Sequence, residues 1–291
     1  MKKKLKLATI CVQEGWKPTK GEPRVLPVFQ STTFKYDNSE QMARLFDLKD
    51  SGYFYTRLQN PTNDAVAAKI AECKNTQDID DIVVKFCKDN NCNPTCLNYE
   101  GFPKAVCTSI NEVVCHGIPK EEDVLEPGDI VNVDITIDKD GFYGDASRMF
   151  IIGGKTTPEK EELVRVTKEC LEIGMAAAKP YGFVGDIGHA IQKYAEKHHY
   201  GVVRDLCGHG VGLAMHEEPE VCHFGHRGEG MLLVPGMTFT IEPMINMGTW
   251  KVYLDADDPY GWEIITGDEK PSAQWEHTLL MTENGVEILA E

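Results

Sequence analysis

The chain has 291 residues, 42% of them hydrophobic, enough to bury one large core or two modest ones. Its formal charge of −16 is spread unevenly: residues 1–73 hold 12 Lys/Arg against 8 Asp/Glu, and residues 74–291 hold 18 against 38. So acidic a body argues against nonspecific nucleic-acid binding, and no run approaches the roughly 18 apolar residues that a membrane span needs.

From the start of the chain, residues 2–6 are basic but lead only into a short apolar run broken by Gln13 and Glu14, which does not read as a secretory signal. With that start, the ten cysteines are expected to be reduced thiols in a cytoplasmic protein. Residues 63–73 have helical composition. Residues 76–89 place Ile79, Ile82, Val83, Phe86 and Cys87 on one face of an amphipathic helix. Cys87, Cys92 and Cys96 form a C-x4-C-x3-C run without a fourth ligand at suitable spacing, so no cysteine-held metal is expected. His116 stands at a strand end before the Gly117-Ile118-Pro119 turn.

Residues 129–137 read as a strand, with Val131, Val133, Ile135 and Ile137 on one face and Asn132, Asp134 and Thr136 on the other. The chain turns at 138–141 and returns through 142–152. A turn centred on Lys139 and Asp140 sets Asp145 opposite Asp134. A turn at Asp140-Gly141 sets it opposite Thr136 and diagonal to Asp134. In both registers the two carboxylates share a face. Gly153-Gly154-Lys155-Thr156 ends like a phosphate-binding loop, but Met149 stands where the leading glycine belongs. Helices are expected over 158–178, entered at Pro158 after Thr157, and over 185–198, followed by a strand over 201–206.

His209 lies in Cys207-Gly208-His209-Gly210-Val211-Gly212, where flanking glycines permit close backbone approach. His216 follows in His216-Glu217-Glu218-Pro219. Glu242 ends the apolar strand 237–241, and Glu276 sits in the β-type run Ser272-Ala273-Gln274-Trp275-Glu276-His277-Thr278. Asp134, Asp145, His209, Glu242 and Glu276 are the wrong residues to bury together without a cation, because like charges at close range repel and raise each other's pKa. A pair of divalent ions removes that penalty, and the set points to a dinuclear metallohydrolase.

Taken together, these motifs resemble those of type I methionine aminopeptidases, from about Lys74 to Glu291. The resemblance implies an α+β, pita-bread (creatinase/aminopeptidase-like) fold, a pseudo-symmetric antiparallel sheet flanked by helices. It implies two divalent metal ions (Co, Mn, Fe(II) or Zn): Asp134 chelates one, Asp145 and Glu276 bridge both, and His209 and Glu242 complete the coordination of the second ion. Glu242 is also the implied proton shuttle, with His116 and His216 steadying the tetrahedral intermediate. The implied methionine pocket comprises Cys96, Tyr99, Phe102, Cys107 and Trp262, with Met215 where the family usually has an aromatic residue. The implied activity is removal of N-terminal methionine from nascent polypeptides, with a small second residue preferred, by a monomer with no membrane or nucleic-acid partner of its own. Contact with the ribosome is left open.

Residues 1–73 instead resemble the start of O-acetylhomoserine sulfhydrylases, which are pyridoxal-phosphate enzymes, through Pro27-Val28-Phe29-Gln30-Ser31-Thr32-Thr33-Phe34 and Gly52-Tyr53-Phe54-Tyr55-Thr56-Arg57. In that family the residues matching Tyr55 and Arg57 hold a cofactor phosphate. The rest of that fold has no counterpart here, so residues 1–73 are expected to be a fused fragment without bound pyridoxal phosphate, and residues 74–291 the catalytic domain. Type I aminopeptidases carry a long helix before the one at 76–89. Residues 63–73 are the candidate substitute for it.

Overall fold

The computed structural model describes Lys35 and residues 38–46, 69–70 and 72–291. The chain falls into two compact units, Met1–Cys73 and Lys74–Glu291. In the first unit, helix α1 (Ser39–Phe46) is entered at Asn38, whose Oδ1 accepts the Gln41 N–H at 2.8 Å. The segments 27–34 and 52–57, and residues 63–68 of the candidate substitute helix, lie outside the described residues.

The second unit opens with α2 (Thr76–Asn90), capped by the Asn75 side chain on Asp78 N and closed by Asn91 in the left-handed conformation. Ile79, Val83 and Cys87 are buried as the apolar periodicity requires, whereas Phe86 is half exposed. Helix α3 (Pro158–Ala177) begins after Thr157, whose hydroxyl accepts from Lys160 N. Helix α4 (Val184–Lys197) begins after Phe183, with the Asp186 carboxylate accepting the Phe183 N–H at 3.0 Å. The inner faces of α3 and α4 pack together and onto Phe239, Ile241 and Leu279, forming the main core.

Among the described residues every strand pairing is antiparallel. One sheet runs Asn93–Pro94, Ile130–Lys139, Cys107–Ile110, with Phe142–Ile151 also paired to the long strand. A second orders Gly285–Ala290, His277–Thr282, Thr238–Ile241, Gly208–Gly210, Glu217–Val221. Two three-stranded sheets complete the unit. The strand expected over 201–206 is shorter, Gly201–Val202, paired with the strand Met244–Asn246. The two larger sheets meet where Glu276 N donates to Ser147 O at 3.1 Å and Thr278 Oγ1 donates to Asp145 O at 2.7 Å. That junction places the candidate site.

Candidate metal centre

The hairpin adopts the second of the two registers. Asp145 stands opposite Thr136, and Asp134 opposite Ser147. Asp140 and Gly141 both have positive φ, 56° and 83°, the requirement of a tight two-residue hairpin turn that Asp-Gly meets at low cost. Asp134 and Asp145 are therefore diagonal neighbours on one face, and the Asp145 charge adds to burial in raising the Asp134 pKa. The sheet junction brings Glu276 beside them.

His209 comes from the strand Gly208–Gly210 of the five-stranded sheet. A Cβ at Gly210 would lie 2.2 Å from Glu218 O, and one at Gly208 would lie 2.8 Å from Thr240 O, so only glycine lets this strand sit so close to its neighbours. The imidazole Nδ1 lies 2.9 Å from Gly210 O, which can only accept. Nδ1 therefore carries the hydrogen, and Nε2 points a bare lone pair at Asp145 Oδ2 (3.6 Å) and Glu242 Oε1 (3.5 Å). Asp145, His209 and Glu276 each offer a ligand atom within 4.8 Å of the others. Glu242 flanks this trio through its contact with His209, and Asp134 as the diagonal neighbour of Asp145.

A divalent cation fits this arrangement. Burial, reinforced by neighbouring carboxylates, pushes Asp134 and Glu276 well above the usual carboxylate range. Burial and then Asp145 push Glu242 up to about 8, and burial raises Asp145 to about 6 against the opposing Thr136 hydroxyl. Without a cation, the crowding of these groups is relieved only by protonating some of the carboxylates. Both the clustered negative charge and the aimed Nε2 are satisfied by a cation among them.

The five groups open into a cavity of about 590 Å3 that is also lined by His116, His216 and the residues expected to bind substrate. Buried Cys96, Phe102 and Cys107 cluster with Ile118, and Met215 and Trp262 pack against that cluster. The Trp262 ring meets Phe102 and His116 edge-on, each at 5.6 Å between centroids. Tyr99 stands apart from the cluster and bonds its hydroxyl to His216 Nδ1 at 2.7 Å. His216 is exposed at the mouth, 4.4 Å from the His209 ring centroid. His116 has φ of 56°, an uncommon conformation for a side-chain-bearing residue, and burial lowers its pKa to about 4, so it is neutral. All thirteen residues expected from the sequence thus border one cavity.

Supporting side chains escaped the sequence reading. Thr136 Oγ1 donates to Asp145 Oδ1 at 2.8 Å, Thr240 Oγ1 to Glu242 Oε1 at 2.9 Å, and Gln274 Nε2 to Glu242 Oε2 at 3.0 Å. His223 Nε2 accepts the Glu242 N–H at 3.1 Å. Strand alternation was the available signal: Thr136, Thr240 and Gln274 each lie two positions from a candidate ligand.

Residues 59–283 match the family described as metallopeptidase family M24, and residues 8–80 match the one described as Cys/Met metabolism PLP-dependent enzyme. The chain is 52% identical over 214 residues to methionine aminopeptidase A of Synechocystis, covering 74% of this chain and 83% of that one. The crystal structure of methionine aminopeptidase from Rickettsia prowazekii aligns with a TM-score of 0.71 at 46% identity, over 74% of this chain and 85% of that chain. An X-Pro aminopeptidase from Thermotoga maritima aligns at 0.57 with 19% identity, over 78% and 56%, a likeness of fold alone. The architecture is the pita-bread fold these structures share.

Proposed function

The chain belongs to metallopeptidase family M24, and on that footing we propose that residues 74–291 remove the N-terminal methionine of nascent polypeptides, with a small second residue preferred. Its activity is that of a methionyl aminopeptidase. The observation that carries the reading is the sharing of one cavity by five metal-type donors and an apolar wall of Cys96, Phe102, Cys107 and Trp262. A thioether side chain favours such a dry wall of sulfur and aromatic rings.

In this reading Asp134, Asp145, His209, Glu242 and Glu276 hold two divalent ions, which when bound lower the pKa of water and polarise the scissile carbonyl. The donor set suits Co, Mn, Fe(II) or Zn. Glu242 takes the proton of the attacking water and delivers it to the departing amine, its carboxyl standing beside His209 among the metal-type donors. Thr240 and Gln274 fix the orientation of that carboxyl. Neutral His116 and His216 contact the substrate where negative charge develops, and Tyr99 sets the ring of His216. The apolar wall receives the methionine side chain, with Met215 as its adaptable part.

Methionine release from Met-Ala-Ser by metal-stripped protein, with and without Mn(II) or Co(II), tests this. Release only with metal is expected. Release from X-Pro peptides in preference to Met-Ala-Ser, or no release with either ion, counts against it.

A further inference from the structure

Two thiols beside the centre have no part in this chemistry. Gly208 and Val221 are the last antiparallel pair of their ladder, and the same register continued one step outward sets Cys207 opposite Cys222. Both are free thiols, and both are partly exposed. Facing residues in an antiparallel pair are about 4.5–5.5 Å apart at Cα, inside the range of about 4.4–6.8 Å that a disulfide spans.

The pair is placed to act on the centre. Cys207 lines the cavity two residues before His209, and Cys222 precedes His223, which holds the Glu242 backbone. The Cys222 side cannot give way easily. A Cβ at Gly188 of α4 would lie 2.5 Å from Cys222 O and 2.4 Å from Phe224 O, so this segment is seated on the helix backbone. The Cys207–His209 side is seated closely too, on Thr240, so a bond between the sulfurs strains the strand that presents Nε2 of His209.

We propose that Cys207 and Cys222 are a reversible oxidation site, whose disulfide displaces His209 and lowers both metal binding and turnover. The oxidant is a low-molecular-weight disulfide. One cysteine thiolate attacks it, breaking its S–S bond, forming a mixed disulfide and releasing one thiol. The second cysteine then attacks the protein sulfur of that mixed disulfide and expels the other thiol. Two S–H bonds become one S–S bond, and the oxidant leaves as two thiols.

The test treats the full chain with glutathione disulfide, followed by peptide mapping, Mn(II) titration and methionine release. We expect a Cys207–Cys222 cross-linked peptide, Mn(II) affinity and turnover each down roughly tenfold, and recovery of both with dithiothreitol. Cys222→Ser should keep basal turnover, form no cross-link and resist the oxidant. Only the turnover arm rests on the proposed peptidase activity; mapping and Mn(II) titration stand without it. A stable mixed disulfide without cross-linking, an equal loss in Cys222→Ser, or a cross-link with undiminished Mn(II) affinity would each overturn the proposal.

Discussion

Thr136 lies directly across the hairpin from Asp145 and donates its hydroxyl to Asp145 Oδ1 at 2.8 Å. Thr136 is fully buried, so this bond has no competing water and fixes which carboxylate lone pairs face the other donors. Thr136→Val keeps the shape and removes the donor. We expect metal affinity to fall about 10- to 100-fold with an unchanged circular dichroism spectrum. Equal affinity by calorimetric titration would show that Asp145 is oriented without it.

Glu242→Gln should lower kcat by roughly 10²–10⁴ while the protein stays folded, because proton transfer at that position is lost. An amide can still accept from Gln274 and meet the Thr240 hydroxyl. Steady-state kinetics on Met-Ala-Ser decide it, and a change confined to KM would assign Glu242 to binding instead.

Stability should respond to pH through the same carboxylates. Burial and Asp145 hold Glu242 at about 8 against an ordinary 4.5, so metal-free folded protein keeps a proton that the unfolded chain has lost. Its stability is lost as pH rises toward 8. The buried histidines act oppositely: His116 at about 4 and His223 at about 3 lower stability as pH falls below 6.5, so their window ends there. Between pH 6.5 and 8 only the carboxylate trend operates among these groups. The Tm of the metal-free protein should fall over that interval, and added Mn(II) should raise Tm more at pH 8 than at 6.5, since the ion competes with protons. An equal shift at both pH values would contradict this.

Met215 packs against the Cys96, Phe102, Cys107 and Ile118 cluster, the proposed apolar wall. Met215→Ala should therefore raise KM for Met-Ala-Ser several-fold and leave kcat nearly unchanged, the pattern of binding lost equally from ground and transition states. A matching fall in kcat would mean that Met215 also positions the scissile bond.

Residues 1–73 are proposed to contribute no chemistry of their own. A Tyr55→Phe, Arg57→Ala double variant should release methionine at the parental rate, and neither protein should gain visible absorbance on adding pyridoxal phosphate. A cofactor spectrum abolished by the double variant would instead establish a second active centre.

Much of the site was legible because local patterns carry it. Alternation in 129–137 and 142–152 put Asp134 and Asp145 on one face in either register, and glycines beside His209 marked a close approach. Thr157 with Pro158, and the apolar spacing after them, marked α3 to within a residue. The sequence by itself determined these donors, their faces and the helix starts, since propensity, capping and periodicity act over a few residues. Only the tertiary structure decided the rest. The hairpin register turned on two positive φ angles at Asp140-Gly141. The meeting of Glu276 with Asp145 depended on hydrogen bonds between segments more than a hundred residues apart. The tautomer of His209, the hydroxyl on Asp145 and the facing of Cys207 with Cys222 likewise follow from which backbone groups the packed sheets leave to be satisfied, and short-range pattern carries no record of that.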